Sequence, residues 1–137
     1  MKKIGSYVIS CLPAILLTMC AFDIVHVKQI PVKIESGSSV NSPFQLEKDE
    51  NISVGSGYSR TLRKGTKWRY VGTIQYGDVF RTSDQILTVE ASNIHEAYIV
   101  VSAMKLVGFY LPVERTYSPL SDPVSLTIKT IETTDNK

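Results

Sequence analysis

Hydrophobic positions fall into two regimes along this chain. From Ile4 to Met19 they form one run of sixteen residues without a charge, "IGSYVISCLPAILLTM", behind the basic start Met1-Lys2-Lys3. That layout is an export signal. Crossing the hydrocarbon core of a bilayer takes about 20 apolar helical residues, and this run is shorter and holds Gly5 and Pro13, so a permanent span would be strained. After Cys20 the pattern breaks into short stretches rich in β-branched and aromatic residues. "FDIVHVKQIPVKIE", Phe22 to Glu35, is extended in character, with Pro31 confining it to an edge or a break because proline donates nothing to a ladder. "SGSSVNSP", Ser36 to Pro43, has loop composition and predicts a flexible tether.

The alternation sharpens from Lys67: Trp68, Tyr70, Gly72 and Ile74 interleave with Arg69, Val71, Thr73 and Gln75, a half-buried strand. "YGD", Tyr76 to Asp78, predicts a turn, "VFRT" resumes the extended pattern, and "QILTVE" is a further strand with Leu87 and Val89 on one face. In Glu96 to Glu114, runs Ala97–Val101 and Leu106–Leu111 flank "SAMK" and predict a hairpin. Ala and Met suit positive φ poorly, so its turn type stays open. "PVSLTI", Pro123 to Ile128, predicts a last strand. No stretch sustains a 3.6-residue period with caps. The body is therefore expected to be all-β, a small barrel or a sandwich of about six to eight short strands behind an N-terminal signal helix. The organisation read is a signal peptide at 1–19, a lipidated N-terminus, strand and flexible tether at 20–43, a β-domain at 44–131 and a polar tail at 132–137.

Charge and cysteine count change the picture in two ways. The chain of 137 residues has a net charge of +2, but setting aside Lys2 and Lys3 leaves 13 basic residues against 13 acidic ones. A neutral body argues against nucleic acid as partner, since phosphate polymers are held by a strong positive field. Both cysteines, Cys11 and Cys20, lie in or at the end of the leader, so no disulfide framework is readable.

"LTMC", Leu17 to Cys20, resembles the lipobox of bacterial lipoproteins, with Met19 standing where the pattern usually has Gly, Ala or Ser. The resemblance covers the first twenty or so residues. It implies a diacylglyceryl thioether on the Cys20 sulfur, cleavage before Cys20 and acylation of the new amine, chemistry that requires a thiol nucleophile. Ala21, rather than Asp, at the next position implies the outer membrane under the enterobacterial sorting rule. An uncleaved anchor and ordinary secretion with a cut near Ala21 are the alternatives. The order of "VGTIQYGDVF", "ILTVE" and "AYIVVSAMKLVGFYLP", Val71 to Pro112, resembles bacterial Src-homology-3-like barrels, which implies a peptide- or protein-binding module. The body also looks like small uncharacterised bacterial lipoproteins.

Three constellations carry candidate chemistry. "RTLRKGTKWR" holds Arg60, Arg63, Lys64, Lys67 and Arg69 with no acid, a contact for lipid phosphates, lipopolysaccharide or an acidic partner; a solvated edge kept soluble by charge is the plain reading. "NIHE" sets His95 beside Glu96 in an expected turn, the germ of a small hydrolase or metal-dependent enzyme, against a structural loop histidine. Alternation sends Phe109 and Tyr110 to opposite faces, making Tyr110 a candidate outer-face partner contact. No nucleophile elbow, phosphate-cradling loop or zinc cluster is present in the sequence, and no cofactor is implied. The function expected is that of a lipid-anchored envelope protein, a non-catalytic binding or scaffold module for an envelope protein or wall component.

Overall fold

A computed structural model of the chain describes residues 28–37, 42–54, 58–83, 87–90 and 94–132; the leader, the expected signal helix and Cys20 lie outside these. The body is all-β. Its strands are β1 Ile30–Pro31, β2 Phe44–Leu46, β3 Glu50–Val54, β4 Tyr58–Leu62, β5 Lys67–Ile74, β6 Gly77–Thr82, β7 Thr88–Glu90, β8 Ile94–Glu96, β9 Tyr98–Ser102, β10 Lys105–Leu111, β11 Thr116–Ser125 and β12 Ile128–Thr130. Eight of them form one antiparallel sheet in the order β1-β11-β10-β9-β6-β5-β2-β12, and β3–β4 and β7–β8 are separate two-stranded ribbons.

Period-two alternation gives this sheet two buried faces. Trp68, Phe80, Ile99, Leu106, Phe109 and Leu120 point to one side, where Ile52 and Leu62 of the β3–β4 ribbon and Leu87 and Val89 at β7 cover them in the main core. Ile74, Val79, Val100, Tyr110 and Tyr117 point to the other side and form a second core. Residues 30–35 cover this second core with their own alternation: Ile30, Val32 and Ile34 turn inward, while Pro31, Lys33 and Glu35 are exposed. The segment is bonded at both ends. Ile30 pairs with Tyr117, the Val32 amide donates to the Arg115 carbonyl (3.1 Å), and Glu35 exchanges backbone bonds of 2.9 and 2.8 Å with Thr73. We call it the strap. Gly72 makes its approach feasible, because a Cβ there would lie 2.7 Å from the Glu35 carbonyl oxygen.

Several expectations shift. Pro31 sits on an edge strand, and Ile30 to Glu35 are paired to the main sheet, so the sheet recruits residues ahead of the β-domain read from 44. The turn expected at Tyr76–Asp78 is a tighter one at Gln75–Tyr76, with Gly77 already opening β6. Ile94 to Glu96 of "NIHE" form the strand β8 and not a turn, because β7 supplies them a ladder partner; Asn93 lies outside the described residues. The last strand read from "PVSLTI" divides: β11 runs through Pro119 and Pro123 to Ser125, and the chain then turns through buried Leu126 into β12. The three strands between Phe44 and Leu62 have no counterpart in the local pattern, since they are short: β2 takes its ladder partners from β12 and β5, and Ile52 and Leu62 of the β3–β4 hairpin find their apolar partners in the main core.

The "SAMK" hairpin is closed by Ala103-Met104 with φ of 48° and 61°, a type I′ turn made of two residues with a Cβ. Left-handed backbone costs such residues roughly 1–2 kcal/mol each, and Asn-Gly is the sequence this turn favours. Ala103→Asn with Met104→Gly is therefore expected to raise stability by about 1–2 kcal/mol, read as a higher urea midpoint at unchanged slope. An unchanged or lower midpoint would show that the turn is not strained.

Candidate functional site

The basic stretch read from the sequence is divided by the fold. Arg60, on β4, turns its guanidinium to Thr88, donating to the carbonyl at 2.5 Å and to Oγ1 at 3.2 Å, and so joins two ribbons. Arg63 is exposed beside a cleft of about 90 Å³ that Arg60, Thr66, Trp68 and Thr82 also line. Lys64 stands in the turn, where its backbone amide donates to Asp49 Oδ1 at 2.7 Å. Lys67 and Arg69 belong to β5, and register gives them new company.

Directly paired residues of an antiparallel ladder share a face. Lys129 pairs with Gln45, Gln45 with Lys67, and Arg69, two residues on from Lys67, with Arg81. Lys67, Arg69, Arg81 and Lys129 thus stand together on the face opposite the main core, beyond the part that the strap covers. Lys67, Arg69 and Lys129 are exposed and Arg81 is half-buried. Among the described residues none of the four enters an ion pair. A shallow depression of about 250 Å³ at the Lys129 side is lined by Gln45, Lys64 and Lys129, with Glu47 as its one acid. Sequence reasoning found Lys67 and Arg69 but missed Arg81 and Lys129, which lie 12 and 60 residues further along the chain. Arg69 opposite Arg81 is notable because like charges directly across a ladder repel.

The other candidates go elsewhere. His95 and Glu96 do not converge: adjacent strand residues point to opposite faces, and Glu96 is exposed while the His95 ring turns to Glu114, with Nδ1 2.5 Å from Oε1. Glu114 belongs to the β10–β11 turn, so the pair clips β8 to that turn. No group of three or more His, Cys, Asp or Glu placed to hold a metal occurs among the described residues. Tyr110 is 4% exposed. It does lie opposite Phe109 as alternation requires, but the second face is itself covered, so it packs in the second core and is not a surface contact. The Tyr76 ring stacks on Tyr117 at 4.3 Å, and burial, with the Tyr76 phenol beside it, pushes the Tyr117 phenol above its ordinary 10.0.

A larger cleft of about 450 Å³ separates the strap from the end of β5, lined by Val32, Lys33, Glu35, Thr73 and Gln75. Thr73 Oγ1 donates to Asp78 at 2.8 Å, which leaves Tyr70 to donate to Thr73 at 2.6 Å. Each hydroxyl is satisfied, and the chain of bonds ties the β5–β6 hairpin together at the strap's landing point. No family model matches this chain, and no curated protein or solved structure is similar to it.

Proposed function

We propose that this chain is a lipid-anchored protein of the bacterial envelope, held through Cys20 at the periplasmic face of the outer membrane, whose β-domain is a non-catalytic binding module. The seam at "LTMC" carries the reading: a charge-free run ends in the one cysteine placed for a thioether, and the chain beyond it is polar-faced β-sequence. The strap adds a length constraint. Ten Cα steps run from Cys20 to Ile30, the first residue paired to the sheet, so the folded body sits within about 36 Å of the anchored residue. One acyl chain holds a protein only reversibly, whereas two or three make release negligible. Tethering raises the local concentration of a weakly binding domain at its partner.

Intact mass of the protein extracted from membranes tests this. The expected product starts at Cys20 and carries a diacylglyceryl group, with or without a further acyl chain, and Cys20→Ser is expected to leave the chain unlipidated and uncut at that bond. A mature N-terminus at any other residue without lipid would remove the anchor.

A further inference from the structure

The strap and the basic row divide one sheet face between them. Where the face is apolar, Ile30, Val32 and Ile34 cover it. Where it is basic, on β12, β2, β5 and β6, the described residues place nothing over it that neutralises Lys67, Arg69, Arg81 and Lys129. Strands lie about 4.8 Å apart and residues two apart on a strand about 6.6 Å, so the four cations fall within a patch spanning three to four strands. Two arginines set directly across the ladder have a cost that an oxyanion bound between their side chains reverses, because each guanidinium fork offers parallel donors to phosphate oxygens.

We infer that this face, through Lys67, Arg69, Arg81 and Lys129, docks on the phosphate headgroups of an anionic lipid surface. Charge complementarity argues for phosphate. The anchor argues for a lipid surface over a dissolved anion: with at most about 36 Å of chain from Cys20 to Ile30, the surface nearest the domain is the bilayer itself. A sheet face presents its cations in a near-plane, which matches a layer of headgroups better than a pocketed ligand. Only this last choice of source rests on the lipidated reading; the phosphate chemistry belongs to the face. Near an anionic leaflet each Lys or Arg is worth about 1 kcal/mol, which is about fivefold in partitioning, and the effect fades within a Debye length.

The test is a lysine footprint. The full lipidated chain is reconstituted in vesicles of phosphatidylcholine with or without phosphatidylglycerol, treated with an amine-reactive reagent and read by mass spectrometry. Lys67 and Lys129 are expected to lose reactivity several-fold only where phosphatidylglycerol is present, and to regain it in high salt. Lys105, on the β9–β10 hairpin outside the row, is expected to stay unchanged. Equal reactivity of Lys67 and Lys129 in both compositions overturns the inference. So does protection by inorganic phosphate added to phosphatidylcholine vesicles, which would make the ligand a dissolved anion, or protection that appears only with an acidic envelope protein. Arg69→Glu, which creates an opposite-charge pair with Arg81, is expected to fold at least as stably as the parent while weakening the protection; undiminished protection in it counts against the face. The full chain with Cys20→Ser separates the two readings. If the parent proves unlipidated but this variant still responds to phosphatidylglycerol, the anchor fails and the face stands.

Discussion

Trp68→Ala is expected to cost about 3–5 kcal/mol, the range for emptying a buried aromatic site, and a domain of this size has only about 5–15 kcal/mol to lose. Trp68 is the largest fully buried side chain, 1% exposed, and pairs across the ladder with both Phe44 and Thr82. Phe44 and Phe80 meet edge to face at 4.9 Å in the same core, so the void would have aromatic walls with little freedom to collapse. Trp68→Phe distinguishes volume from polarity. The indole Nε1 is buried and has no partner among the described residues, and an unpaired buried donor costs about 1–3 kcal/mol. Phenylalanine removes that donor and keeps most of the ring, so its expected loss is about 1–2 kcal/mol or less. Urea unfolding followed by far-ultraviolet circular dichroism reads both variants, since the chain's single tryptophan is gone in each. If the alanine variant unfolds within about 1 kcal/mol of the parent, Trp68 does not organise the core as described.

The second large effect concerns the strap. Val32→Asp together with Ile34→Asp would set two carboxylates against Val79, Val100, Tyr110 and Tyr117, and an unpaired charge is not retained in such surroundings. The strap is then expected to lift, leaving the rest of the main sheet with an exposed apolar face. Trypsin reports this directly, because Lys33 lies on the strap and is held in extended backbone, bonded on either side at Val32 and Glu35, in the parent. Cleavage after Lys33 is expected to accelerate at least about tenfold, as local opening falls from a protected to a frayed regime. Cleavage at equal rates in parent and variant would mean that the strap is not held by its inward side chains. In the lipidated reading the same double change lengthens the tether from the ten Cα steps between Cys20 and Ile30 to the 24 between Cys20 and Phe44. The body could then stand up to about 86 Å from its anchor, and the footprint at Lys67 and Lys129 should weaken with it.

The features legible in the sequence are those set by local chemistry. The proposed export leader and lipidated seam at Cys20 are read from a run of neighbouring residues. The all-β class, β5, β6, β9 and β10 rest on period-two alternation and β-branched content, which need no knowledge of partners. The opposite facing of Phe109 and Tyr110 comes from the pleat alone. Burial of Tyr110 does not, because whether the second face of a sheet meets water depends on a segment some 80 residues earlier in the chain. The turn at Ala103-Met104 is located by spacing, while its left-handed geometry is imposed by the two strands it joins against the preference of both residues.

The basic site shows the same division most clearly. Composition along the chain could group Arg60 with Lys67 and Arg69, since it measures only proximity in sequence. Packing of the β3–β4 ribbon on β7 sent Arg60 to Thr88, and ladder register brought Arg81 and Lys129 to Lys67 and Arg69. By itself the sequence determined the all-β class and the strands with clear alternation, because alternation and β-branched content are properties of adjacent residues. Which strands become neighbours, which face is capped and which cations stand side by side were decided by long-range pairing, where the burial of Trp68 and Tyr110 fixes the register and the surface charges go with it.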